Sequence, residues 1–185
     1  EKESEEAVRI ESVDLLRSLF PAQQNLTSSV AATYIAEMVD TFAQADDPAE
    51  KIYRLLDTAS AALLDGHSPM AIVTYAEIWI LRLAGIFPSF RNCVHCGDTL
   101  SRPLRFDPSG FVCESCATRE AYVVGNDVAD ALEAIVRLPV AEMAALPLPT
   151  RVLLEIRSLA GTIRRHFLGH ELKSFEVLAS VLGSA

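Results

Sequence analysis

The chain has 185 residues, half of them hydrophobic and 22% charged, enough apolar material for one ordinary domain with a substantial core, which excludes a disordered chain. A formal net charge of −9 argues against a surface built throughout for phosphate, because nucleic-acid binders announce themselves by clustered Lys and Arg. No run approaches the roughly 18 apolar residues of a membrane span, so no membrane partner is expected.

The chain opens on Glu1, Lys2 and Glu3, with neither a methionine nor a signal peptide, and a cytoplasmic chain lacking an N-terminal piece is expected. Residues 1–12 are charged and then alternate loosely through Val8 and Ile10, like a leftover strand or a frayed entry. From about 26 the helical period takes over. Ala31, Tyr34, Ile35, Met38 and Phe42 share one helix face, and Asp46-Asp47-Pro48 breaks that helix and opens the next. Ile52, Leu55, Leu56, Ala59 and Leu63 repeat the pattern up to Gly66. Ser68-Pro69 is a second start signal, a capping hydroxyl followed by proline in the first turn. The helix after it is apolar nearly all round, from Ile72 to Ala84, and is therefore expected at the centre of the core.

Residues 88–122 change character. Cysteines and turn residues dominate, and the strand-like pieces Leu104–Phe106 and Phe111–Val112 flank the turn Asp107-Pro108-Ser109-Gly110. The helical period returns with Val128, Ala131, Leu132, Ile135 and Val136, followed by a connection punctuated by Pro139, Pro147 and Pro149. A longer helix places Val152, Ile156, Leu159, Ile163 and Phe167 on one stripe, and Phe175 to Leu182 closes the chain. The expected fold is mainly α: a bundle-like helical domain with an inserted four-cysteine ribbon. It divides into a helical first part (13–92), the insert (93–122) and a helical second part (123–185).

Cys93 and Cys96 form one C-x2-C knuckle, Cys113 and Cys116 a second, with sixteen residues between them. Each knuckle supplies two thiolates from one tight turn, and a hairpin between them brings the pairs opposite one another, as a tetrahedral Zn2+ site requires. Gly97 stands where a knuckle often needs a backbone shape that glycine adopts at little cost. Two disulfides, a redox pair and an iron–sulfur centre fit less well, given no sign of secretion, two matched knuckles and unusual ferredoxin spacing. Four thiolates close the coordination sphere, so the zinc is read as structural. His95 inside the first knuckle is read as an exposed bystander.

Catalysis finds little support. There is no G-x-S-x-G, H-E-x-x-H, P-loop or G-x-G-x-x-G, and His67, His166 and His170 lie in ordinary contexts. Glu77, Glu133 and Glu155 read as solvated or capping charges. The basic residues cluster late: Arg151, Arg157, Arg164, Arg165 and Lys173, against Glu155 and Glu171. At a helix C-terminus such cations complement the dipole; the functional alternative is a patch for phosphate or for an acidic, hydrophobic peptide. A thinner cluster, Arg91, Arg102 and Arg105, borders the ribbon.

Three segments converge on one family: Ala76 to Pro88 leading into Cys93–Gly97, Phe106 to Cys113, and Arg165 to Ser174, with Thr33 to Asp40 as an early helix. Together they resemble the helical and zinc-finger portion of the RecO family of bacterial recombination mediators. The resemblance covers nearly the whole chain and implies a non-catalytic DNA repair protein of the RecF pathway and the SOS response, working in the cytoplasm at the nucleoid. It implies binding to single- and double-stranded DNA, annealing of complementary strands, partnership with RecR and loading of RecA. The helical domain would also dock the acidic, Phe-ending tail of single-strand-binding protein. The family's N-terminal OB-fold domain is missing, residues 1–12 look like its trailing end, and DNA binding by this chain is accordingly expected to be weak. Arg164, Arg165, Lys173, Arg102 and Arg105 are the candidate residues for partner or DNA binding. The rival readings are a zinc-dependent enzyme acting on nucleic acid or a small substrate, and a plain zinc-braced scaffold.

Overall fold

The computed structural model describes residues 11–15, 17–43 and 49–183. The expectations placed on residues 1–10 and on Asp46-Asp47-Pro48 lie outside the described residues.

After a short turn, α1 (Phe20–Gln23), the first long helix is α2 (Leu26–Phe42), whose first turn is capped by Asn25 accepting from the Ser28 N–H at 3.2 Å. Next come α3 (Glu50–Leu64) and α4 (Pro69–Leu83), the latter started by the Ser68 hydroxyl and by Pro69 in its first turn. Every residue of α4 from Met70 to Ile78 is buried, and so are Ile80 and Leu81. A helix apolar on all sides buries all sides, and α4 duly packs against α2, α3, α6 and α7. The expected face of α2 is buried residue for residue, from Ala31 to Phe42.

The second half contains α5 (Asn126–Arg137), α6 (Val140–Ala144), α7 (Thr150–Leu168) and α8 (Lys173–Leu182). The proline-punctuated connection holds one short helix that its prolines concealed: Pro139 sits just before α6, and Val140 and Met143 are its buried residues. On α7 the stripe Val152, Ile156, Leu159 and Ile163 is buried as expected, but Phe167 is 60% exposed. It lies beyond the main core and touches the Phe42 ring on one side, centroid to centroid 6.0 Å.

Between α4 and α5 stands a three-stranded antiparallel sheet, order β2-β1-β3, with β1 (Leu104–Asp107), β2 (Gly110–Val112) and β3 (Tyr122–Val124). The β1–β2 hairpin reverses at the expected turn, with Phe106 opposite Phe111. The third strand, β3, escapes a sequence reading because it is only three residues long and pairs with β1 rather than with its chain neighbour. Phe111 is fully buried, its ring 5.2 Å from Phe106, 6.0 Å from Phe90 and 6.3 Å from Phe87. Phe87 and Phe90 belong to the loop leaving α4, so this aromatic cluster fastens the ribbon to the helical body. Among the described residues no helix is long and apolar enough to cross a membrane.

Candidate metal centre and its surroundings

The first knuckle is a closed backbone loop. The Cys93 N–H donates to Asp98 O (2.8 Å), the Gly97 N–H donates to Cys93 O (2.9 Å), and the Asn92 amide donates to Gly97 O (3.1 Å). Gly97 takes φ +77°, the left-handed shape that lets the turn close without a Cβ clash. In the second knuckle the Cys116 N–H donates to Cys113 O at 3.2 Å. The hairpin carries Cys113 directly off the end of β2, and the four Sγ atoms all lie within 4.8 Å of one another. Four sulfurs around a tetrahedral zinc, each about 2.3 Å from it, would stand about 3.8 Å apart. The Cys96 and Cys113 sulfurs are 3.7 Å apart, and all four thiols are free of disulfides. The donor set therefore fits one thiophilic ion, with no vacant coordination corner.

The four sulfurs are not equally acidic. Cys93, 3% exposed, has its thiol lowered to about 6 because the backbone N–H groups of Cys96 and Cys113 point at its sulfur. At Cys96 the Asp98 N–H acts the same way, but the surrounding thiols and desolvation win, and it is pushed up to about 12. His95 stays outside the cluster: its Nε2 lies 3.1 Å from the Ser109 hydroxyl, which in turn donates to Asp107. Asp107 is buried, which alone would raise its carboxyl, yet the Ser109 hydroxyl and N–H and the Thr118 hydroxyl hold it below its usual value. That carboxylate knits the hairpin turn to the second knuckle.

The arginines fall out differently from the sequence expectation. Arg164 is fully buried, so it cannot serve as a surface cation. Its guanidinium bonds Glu77, Glu171 and the Tyr34 hydroxyl and stacks on the Phe175 ring at 4.7 Å. The physical reason is Glu77, 1% exposed on the apolar α4, whose carboxylate needs a buried cation. Glu77, which the sequence presents as a solvated or capping charge, is instead the centre of an internal network. The overlooked signal was a lone carboxylate inside an otherwise apolar run. Arg165 remains at the surface, 3.2 Å from Glu171, and Lys173 begins α8. Arg102 is held by Asp130 and Glu133, and Arg105 reaches Glu114 at 3.5 Å. Arg91, by contrast, has no carboxylate partner among the described residues.

A helical body carrying a four-thiol ribbon defines a class of helical modules whose cysteine cluster can hold a metal ion. Within that class the chain belongs to the recombination protein O family: the model of the family's C-terminal domain matches residues 23–176. The chain is 29% identical to the DNA repair protein RecO of Koribacter versatilis, over 90% of this chain and 69% of that protein. It is 28% identical to the RecO of Myxococcus xanthus, over 94% and 71%, and 26% identical to that of Caldicellulosiruptor saccharolyticus, over 92% and 70%. The family supports a role in DNA repair and recombination.

Proposed function

We propose that the chain is a non-catalytic recombination mediator, acting in the cytoplasm at the nucleoid, whose four cysteines hold a structural Zn2+. The observation that carries this reading is the closed sulfur set: four thiolates converging on one point leave no position for a metal-activated water. In this reading residues 93–122 brace the helical parts 13–92 and 123–185, and those helices meet RecR, DNA and the tail of single-strand-binding protein to promote strand annealing and RecA loading.

The groove between α3 and α4 has the chemistry for an acidic, Phe-ending tail. Its volume is about 360 Å3, and Leu55, Tyr75, Trp79 and Leu83 line it beside Lys51 and Arg54. Both aromatic side chains are fixed by their polar ends, Tyr75 to Leu138 O (3.2 Å) and Trp79 to Ile135 O (2.9 Å), so their rings present a ready-made apolar floor. Lys51 would take the peptide's carboxylates, with Arg54 as a second cation that must share its guanidinium with Glu50, 2.7 Å away. Arg165 and Lys173 form the second candidate surface, weakened by the pairing of Arg165 with Glu171.

The test is titration with an acidic tail peptide, with RecR and with single-stranded DNA at two salt concentrations. Binding of the peptide should weaken with salt and be lost in Lys51→Glu/Arg54→Glu. Loss only in Arg165→Glu/Lys173→Glu would move the site to α7 and α8. A chain that binds none of the three and anneals nothing would be the plain scaffold; metal-dependent turnover would favour the enzyme.

A further inference from the structure

The loop leaving α4 is held unusually tightly. The Ile86 and Phe87 N–H groups both donate to Leu81 O, at 2.8 and 3.0 Å, and Gly85 takes φ +72° to turn the chain. Phe87 and Phe90 are then sunk into the aromatic cluster around Phe111. Beyond them the Arg91 N–H donates to the Ser89 hydroxyl at 3.1 Å, and the Arg91 carbonyl accepts from the Leu100 N–H at 2.8 Å. A cavity of about 390 Å3 opens beside this loop, lined by Arg82, Phe87, Ser89, Phe90, Arg91 and Val136. Its lining holds two guanidinium groups and a hydroxyl, with no carboxylate.

What sets the two arginines apart is that they line one cavity together; the exposed Arg119 and Arg137 also lack a carboxylate among the described residues but do not line it. In a protein of net charge −9 most exposed arginines find a carboxylate, as Arg17, Arg54, Arg102, Arg105, Arg151 and Arg165 do. Arg82 and Arg91 find none among the described residues, and the Nε of Arg82 is buried without an acceptor. A structural role for Arg82 exists: it lies over the Trp79 ring at 5.4 Å and sits in the last turn of α4, where a cation complements the dipole. That role explains the position of Arg82. It leaves the orphaned Nε unexplained, and it says nothing of Arg91 converging from a separate loop.

We infer that this cavity is an anion subsite that takes a backbone phosphate of single-stranded nucleic acid between Arg82 and Arg91, with the Ser89 hydroxyl as third contact. The guanidinium fork matches two phosphate oxygens, and the pinned loop spends little entropy in presenting it. A phosphodiester suits a cavity whose polar lining is two guanidinium groups and a hydroxyl, whereas an acidic peptide with an apolar end suits the more apolar groove between α3 and α4. The inference rests on the proposal above that the chain binds DNA.

The experiment is anisotropy of a labelled oligothymidylate on the full chain over a salt series, with emission of Trp79, the single tryptophan, read in parallel. Arg91→Ala and Arg82→Lys should each bind about tenfold more weakly. The slope of log affinity on log salt should fall by about one in Arg91→Ala, and the oligonucleotide-induced change in Trp79 emission should shrink. An unchanged thermal midpoint in Arg91→Ala would show that the fold is intact; Arg91→Lys should recover part of the affinity. Wild-type binding that both variants retain would overturn the subsite and leave the DNA-binding proposal standing. No oligonucleotide binding by wild type would overturn that proposal and the subsite with it. Loss of acidic-peptide binding in Arg91→Ala, with oligonucleotide binding intact, would overturn the phosphate assignment in favour of a carboxylate.

Discussion

Arg164 is the residue on which the helical body turns. Its guanidinium bonds Glu77 Oε1 and the Tyr34 hydroxyl at the core and Glu171 nearer the surface, while Glu77 Oε2 is buried without a partner among the described residues. Burial pushes the Glu77 carboxyl up, while Arg164 and the Tyr34 hydroxyl pull it back. Removing one member of such a pair leaves an uncompensated buried charge, and Arg164→Met should therefore cost about 3–5 kcal/mol in denaturant unfolding. Adding Glu77→Leu should recover most of that loss, since Glu171 is 26% exposed and stays within reach of Arg165. A double variant as unstable as the single one would transfer the importance to the stacking of Arg164 on Phe175. None of this was visible from local spacing, because Tyr34, Glu77 and Arg164 are brought together across 130 residues.

At the level of elements, α8 is capped from another helix. Leu172 offers no capping side chain, and Glu37 of α2 instead accepts the Lys173 N–H (3.0 Å), the Ser174 N–H (2.8 Å) and the Ser174 hydroxyl. Partial burial alone would raise the Glu37 carboxyl, but these donors outweigh it and hold the folded value below the ordinary 4.5. A depressed carboxyl stabilises the fold above its unfolded value, and the contribution is lost as pH falls through the lowered one. Protection of the α8 amides, measured against their intrinsic exchange rates, should thus fall below about pH 4.5, and Glu37→Gln should flatten that acid dependence while loosening α8 at neutral pH.

The hairpin turn is constrained at a single glycine. Gly110 takes φ +132°, and an added Cβ would lie 2.9 Å from Val94 Cγ1 and 3.1 Å from two carbons of Pro88. Gly110→Ala should cost about 1–3 kcal/mol in thermal or denaturant unfolding. The neighbouring variant Val94→Ala should relieve the closest contact but neither the Pro88 contacts nor the backbone strain. The turn at Asp107–Gly110 is legible in the sequence because Asp, Pro, Ser and Gly each favour a reversal.

For the molecule as a whole, the four-thiol site and the core are coupled through Phe111 and its neighbours Phe87 and Phe90. Chelation should release one zinc per chain, lower the melting temperature and expose residues 93–124 to exchange, while far-UV helicity largely persists. Cys113→Ser should reproduce the effect without chelator. Full retention of melting temperature after metal removal would show that the aromatic cluster alone holds the ribbon.

The four thiols, the central apolar helix α4 and the hairpin were determined by the sequence itself, because each follows from short-range chemistry: knuckle spacing, all-round apolarity and turn residues. Which arginines are free to meet a ligand was decided only by the tertiary structure. A guanidinium is available only if no carboxylate reaches it, and in an acidic chain that depends on long-range packing. Packing drew Arg164 inside, paired Arg102 and Arg105 with Asp130, Glu133 and Glu114, and left Arg82 and Arg91 facing one cavity.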